Sequence, residues 1–351
     1  MFEKLSQIKN KDISVVVMYD FFIDRIITLK TKEEFCDSVN EKIKFGGGSI
    51  RNIPTRDIKG GNAVNVAYHL AHLGLNVDLF TVADEFGKSL LQKTFSKFGN
   101  RVRLYISNGK PGLTTSLEFQ EEKNDTKVNV MLSSLGDNVD FAPQRIIDFK
   151  DGEKVLSDAN VVVMVNWATN LKSKELAQYV FDNSPAALHF IDPADIETRK
   201  DEFYDFLKRH SKDIDVLSIN ENECNSLYSS MGLSFIAGEE KEKDNEKGEE
   251  LFKEAAKTIS NKTEITSVDL HARLGAAWSN GNDSLFSSSI KTKIKIMTGA
   301  GDSWDAADIA GYVAGLPPKD RLYFANLYTS LFIGSSDLEP ATLEQLHSVC
   351  K

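Results

Sequence analysis

The sequence predicts an α/β fold with a small β-sheet inserted into it, on three observations. Ile13 to Met18 is a continuous, largely β-branched run, the composition of a strand buried on both faces in a parallel sheet. Helix-like and strand-like stretches then alternate along most of the chain, as in layered α/β proteins. Between Arg101 and Leu132 that alternation is interrupted by three short strand-like segments joined by polar turns.

Taken in order, Phe21 to Lys30 continues from the first strand as a mixed strand, with Asp20 and Asp24 near its start. Glu33 to Gly61, containing Gly46-Gly47-Gly48 and Pro54, reads as short antiparallel strands and turns. The run Gly60-Gly61-Asn62-Ala63-Val64-Asn65-Val66-Ala67 opens a helix whose apolar positions repeat at helical spacing up to Gly74, a natural C-cap. Asn76 to Val82 is a strand and Lys88 to Phe98 a helix. Arg101–Ser107, Leu113–Phe119 and Lys127–Leu132 form the inserted sheet, placed to cover a site as a lid. Val161–Val165, Ala187–Ile191 and Val216–Ile219 resume as strands, with helices over Lys172–Asn183, Glu202–His210 and Asn222–Met231. Ala237 to Glu250 is a charge-dense, solvated loop ahead of a helix over Leu251–Ile259. Ile265–Leu270 and Gly275–Trp278 are strands, and Ile290–Ile296 is a β-favouring run. Asp302–Gly315, Lys319–Ser330 and Thr342–Val349 are helices. The expected organisation is one domain over 1–351, with lid strands at about 20–59 and 101–135.

Composition narrows the function. A net charge of −10 argues against general nucleic-acid binding and against a membrane surface. No apolar run approaches the roughly 20 residues that span a bilayer. Cys36, Cys224 and Cys350 are odd in number and far apart, which fits a reducing cytosol better than a disulfide framework. The first residues lack the apolar core of a signal peptide, so a cytoplasmic protein is expected.

Four constellations can carry chemistry. Gly299-Ala300-Gly301-Asp302 brings bare backbone amides to a helix start, where unpaired N–H groups and the helix dipole attract anions. Asp302 beside them either caps the helix or takes a proton from a nucleophile. Gly61, Asn62 and Asn65 open another helix and either cap it or hydrogen-bond a polyhydroxylated ligand. Asn220 and Glu223 share one face of an opening turn, as a capping-box pair or as an oxygen-rich Mg²⁺ site. Asp24 lies near a strand end, where α/β proteins bind ligands. There is no GxGxxG after the first strand and no GxxxxGK[ST], which disfavours a dinucleotide fold and excludes a P-loop.

Together these pieces resemble the ribokinase-like (PfkB) carbohydrate kinases. Gly60 to Ala67 looks like that family's N-terminal signature, Thr298 to Ala306 like its C-terminal one, and Asn220 to Glu223 like its NxxE motif. The resemblance implies a three-layer sandwich, a mostly parallel central sheet flanked by helices, with a small β-lid that often forms a homodimer interface. It implies transfer of the γ-phosphoryl group of ATP, with Mg²⁺, to a hydroxyl of a sugar or nucleoside. Asp302 would then be the base, with Gly299, Ala300 and Gly301 supplying the anion hole. Asp24, Gly61, Asn62 and Asn65 would bind the acceptor. Asn220, Glu223, His271, Gly275 and Asn326 would serve the nucleotide, with Asn220 and Glu223 also organising the metal. Two departures stand out. Ile296 replaces an acid of the family's monovalent-cation site, which argues against potassium activation. The nucleotide strand is altered to Asp269-Leu270-His271-Ala272-Arg273-Leu274-Gly275, which keeps ADP as an alternative donor. A non-catalytic carbohydrate- or nucleotide-binding member is the other alternative. Arg25, Arg51, Arg56, Lys59, Arg101 and Arg103 are the cations available to grip a phosphorylated acceptor.

Overall fold

In a computed structural model, described over residues 1–120, 127–235, 245–295, 298–335 and 339–349, two sheets organise the chain. The larger has nine strands in the order β13-β12-β11-β10-β9-β8-β1-β4-β5. These are β1 (Ser14–Tyr19), β4 (Asn76–Ala83), β5 (Val102–Asn108), β8 (Val161–Val165), β9 (Leu188–Asp192), β10 (Val216–Asn220), β11 (Val268–His271), β12 (Gly275–Ser279) and β13 (Ser284–Ser288). All neighbours from β5 to β11 run parallel, and β12 and β13 are antiparallel additions at one edge. The smaller sheet has the order β3-β2-β6-β7, from β2 (Phe22–Thr28), β3 (Thr55–Gly60), β6 (Gly112–Gln120) and β7 (Lys127–Ser134).

Helices cover both faces of the large sheet because its strands are apolar on both. Along β1, Val15 and Val17 enter one core while Val16 and Met18 enter the other. The first core receives α3 (Asn62–Leu73), α4 (Glu85–Phe95), α11 (Ala300–Val313) and α12 (Pro318–Gly334). The second receives α7 (Ser173–Asn183), α8 (Lys200–Arg209), α9 (Glu221–Ser230) and α10 (Asn245–Thr263). This is the expected three-layer arrangement. The remaining helices are α1 (Phe2–Ser6), α2 (Lys32–Lys44), α5 (Gln144–Ile147), α6 (Gly152–Ser157) and α13 (Leu343–Val349).

Four local expectations are corrected. Glu33 to Gly61 is not a set of antiparallel strands: it holds α2, and only β3 is a strand. The Thr31 hydroxyl accepts from the Glu34 amide, acids fill the first turn and lysines the last. None of its residues is buried, so no apolar stripe announced it. Arg101 to Ser107 does not belong to the inserted sheet. As β5 it pairs in parallel with β4, because the intervening α4 makes a βαβ crossover. Ile290 to Lys295 forms no strand. The edge strand is β13, and after it the chain leaves the sheet, the Lys295 amide donating to Ile333 O. Glu249 and Glu250 are helical rather than loop, because α10 starts at Asn245 and Lys253 pairs with both acids. The rest of the charge-dense stretch up to Asp244, together with Ile296 and Cys350, lies outside the described residues.

Candidate active site

The C-terminal ends of the parallel strands point to one region, where the strand order reverses between β8 and β1. Asp20 follows β1 and Asn166 follows β8, and the Asn166 carboxamide donates to Asp20 Oδ2 at 2.9 Å. Asp20 is fully buried and accepts from the amides of Asn62 and Ala63 at 2.9 and 2.7 Å. It therefore caps α3 from another element, and burial raises its pKa against these hydrogen bonds.

The two glycines ahead of α3 are there because of two aspartates. Gly61 has φ +93°, and a Cβ on it would lie 2.7 Å from the Asp20 carbonyl oxygen. A Cβ on Gly60 would lie 2.2 Å from the Asp24 carboxylate. Asp24 extends from β2 opposite Thr114 of β6, and burial raises it to about 6 against the Thr114 hydroxyl and the Lys59 charge.

Across this pocket α11 presents Asp302. Gly299 takes the left-handed conformation at the N-cap, φ +79°, and turns the amides of Ala300, Gly301 and Asp302 outward from the helix start. Asp302 is 7% exposed. Its two oxygens accept from Asn62 Nδ2 at 3.0 Å and Asn65 Nδ2 at 2.9 Å. Burial raises its pKa to about 8, Asp192 and Asp20 add to the rise, and the Asn65 hydrogen bond and Lys59 oppose it. Asn62 and Asn65, expected to bind the acceptor, thus aim the Asp302 carboxylate.

The nucleotide-side residues divide. Asn220 and Glu223 close a capping box at the start of α9: the Asn220 amide and side chain donate to Glu223 at 2.7 and 2.6 Å, and Asn220 Oδ1 accepts from the amides of Asn222 and Glu223. Glu223 is buried, and burial and the neighbouring Asp192 push its pKa well up. His271 ends β11 and stacks on Trp304, centroids 4.9 Å apart, with its ring 3.6 Å from where a Gly301 Cβ would be. Burial holds it neutral, with a pKa lowered to about 4. Gly275, at φ +155°, lies where a Cβ would meet Ser287 O at 2.2 Å, so it serves the β12–β13 hairpin. Asn326 accepts from Trp304 Nε1 at 2.9 Å and donates to Ser287 O at 2.8 Å, tying α12 to α11 and β13. No group of three or more His, Cys, Asp or Glu among the described residues forms a metal cage.

Of the six candidate phosphate cations, Lys59 alone has been brought to the carboxylates. Its ammonium donates to Asn65 Oδ1 at 2.6 Å, whereas Arg25 pairs with Asp57 and Arg103 with Asp78. No sequence motif marks Asp20, Asn166, Asp192 or Thr114 for a role. Their common signal is position at or near a strand's C-terminal end, or beside Asp24.

Comparison with known proteins bears on this geometry. A family model described as pfkB family carbohydrate kinase matches residues 34–344. Among solved structures, the chain is similar to a ribokinase from Thermotoga maritima (17% identity, TM-score 0.69, covering 96% of this chain and 98% of that one). It is also similar to Arabidopsis thaliana ribokinase complexed with ribose and ATP (18%, TM-score 0.70, 97% and 99%). A third is an adenosine kinase from Sinorhizobium meliloti (17%, TM-score 0.69, 97% and 99%). At these identities the structural likeness shows a shared fold. No curated protein sequence matches the chain.

Proposed function

The chain belongs to the pfkB family of carbohydrate kinases, and on that premise we propose that it transfers the γ-phosphoryl group of ATP to a hydroxyl of a sugar or nucleoside, with Asp302 as the base. The observation that carries this reading is the placement of Asp302: a buried carboxylate aimed by two carboxamides, in the same first turn as the outward-facing amides. Burial gives it a high proton affinity, close to working pH, as a general base needs. The amides of Ala300, Gly301 and Asp302 supply fixed donors for charge on the transferring group, the electrostatic part of phosphoryl transfer. Asp24 on the facing strand is the acceptor-binding carboxylate in this reading. The ribose and ATP of the Arabidopsis ribokinase complex support the donor and a polyhydroxylated acceptor.

Mg²⁺ commonly binds through one or two carboxylates together with substrate phosphates. Burial, with Asp192 nearby, disfavours the charged form of Glu223, a setting that a divalent cation arriving with the phosphates would relieve. Glu223, with Asn220 next to it, would hold the ion, which would offset charge on the phosphates. A homodimer formed through the small sheet fits its edge strand β7, which exposes Val128, Val130, Met131 and Leu132.

The test is a panel of free sugars, nucleosides and sugar phosphates, with ATP or ADP, followed by nucleoside diphosphate or monophosphate release. Asp302→Asn is expected to lower kcat by about 10²- to 10⁴-fold, the usual worth of general-base catalysis, with acceptor binding retained. Binding without turnover for every acceptor, in the wild type, would sink the kinase reading in favour of a binding protein.

A further inference from the structure

We propose that Lys59 is a positioning residue for Asp302, acting through the orientation of the Asn65 carboxamide; the inference rests on the kinase reading of this site. Its basis is geometric. A carboxamide has one acceptor end and one donor end, of almost identical shape, so it can face either way unless a neighbour decides. An ammonium only donates. Lys59 Nζ donates to Asn65 Oδ1 at 2.6 Å, which leaves Asn65 Nδ2 to donate to Asp302 Oδ2 at 2.9 Å. Were Asn65 reversed, two donors would meet at Lys59, and two acceptors would meet at Asp302. Lys59 therefore fixes which end of Asn65 the carboxylate sees.

Lys59 is itself held. Its ammonium lies 4.5 Å from the centre of the Tyr68 ring, on α3 one turn beyond Asn65. The Tyr68 hydroxyl in turn donates to Glu339, which Lys97 pairs with at 2.9 Å. Lys59 precedes Gly60 on β3, so the small sheet delivers the ammonium and the large layer delivers both Asn65 and Asp302. The geometry makes the aim of Asp302 depend on the small sheet being in place.

The other charged and titratable groups around Asp302 are Asp20 after β1, Asp24 on β2, Asp192 on β9, His271 on β11, and Asp305 on its own helix. His69 lies below on α3, bonded to the Tyr328 hydroxyl. Apart from the two histidines these are acids, so among the described residues Lys59 is the cation in the group. Removing it is expected to raise the proton affinity of Asp302 by losing both the fixed donor and the charge.

The experiment is a carbon-13 NMR titration of the full chain labelled at aspartate Cγ, with Asp302→Asn identifying the resonance. Lys59→Met is expected to raise the Asp302 midpoint by about one pH unit, and Lys59→Arg, also donor-only, to leave it near wild type. In an Asn65→Ala background the same Lys59→Met change is expected to shift the midpoint by less than about a third of that. An unmoved midpoint in Lys59→Met overturns the proposal. So does a full shift surviving in Asn65→Ala, since Lys59 would then act by its field and not through Asn65. If Lys59→Met does not fold, Lys59→Gln against Lys59→Arg asks the same question, because Gln offers an acceptor and permits the reversal. With an active acceptor, the acid limb of kcat is expected to move with the midpoint while the KM for ATP stays put. The titration outcome stands whether or not product forms, so a shift without turnover removes the kinase reading and keeps the positioning role.

Discussion

Asp302 is a carboxylic acid that folding makes harder to ionise. Its pKa rises from the ordinary value of 3.8 to about 8, mainly through burial. The folded state therefore binds this proton more tightly than the unfolded chain does, and stability from this group falls as pH climbs between those values. Asp302→Asn removes the titration while keeping the size. It is expected to melt higher than wild type at pH 8, by at least about 2 °C, with a smaller difference at pH 5. Thermal melts at the two pH values check this, and an equal difference at both would contradict it. Gly60 gives a second expectation at this scale. A methyl group there overlaps the Asp24 carboxylate at 2.2 Å, so Gly60→Ala should turn Asp24 away. The KM for the acceptor should rise at least about tenfold with little change for ATP, since misplacement by about 1 Å is costly in a positioned site. Steady-state kinetics with each substrate varied would show it. The paired glycines were visible in the sequence as a motif; what they avoid was not, because Asp20 and Asp24 lie some forty residues earlier and meet them only in the fold.

At the scale of elements, helix starts carry the site. The α3 start is capped by Asp20 from β1, the α9 start by its own Asn220–Glu223 box, and the α11 start stays open at Gly299. Two sequence patterns that both read as cap or ligand site thus differ in the fold: Asn220 and Glu223 cap their own helix start, while the Gly299 start has no side-chain cap and its amides lie beside the buried Asp302 carboxylate. Asn326 is an element-scale residue too. Its carboxamide links α12 to Trp304 and to β13. Asn326→Leu is expected to destabilise by about 2–3 kcal/mol through the lost and orphaned partners, read as a lowered denaturation midpoint. An unchanged KM for ATP in the surviving folded enzyme would mark the residue as structural, and a large rise would restore the nucleotide role expected from the resemblance. The α2 helix was illegible for the opposite reason. It is held by caps and end charges with no buried residue, and periodicity detects only burial.

For the whole molecule, two sheets and their meeting place decide function. The edge strand β7 leaves Met131 51% and Leu132 59% exposed, an unusual amount of apolar side chain for an unpaired strand edge. A double change Val130→Lys with Leu132→Lys is expected to convert a dimer to a monomer by light scattering, with the large-sheet core unaffected in its melt. A monomeric wild type at working concentration would remove the dimer from the reading. The small sheet also bears Asp24 and Lys59, so the proposed dimer would form on the element whose side chains reach Asp302's pocket.

The sequence by itself determined the layers and the motifs. β-branched runs buried on both sides can only be parallel strands under helices, and glycine-rich helix starts retain their meaning in any context. It also brought Asp302, Asn65 and Asp24 forward as candidates for one chemistry. Only the tertiary structure decided how they meet. Hydrogen-bond partners between residues 59, 65 and 302 depend on which strand belongs to which sheet, and β5 shows how a strand-like run gives no sign of its neighbour. Proton affinity was equally out of reach, because the same carboxyl group titrates near 4 in water and near 8 where the fold removes the water.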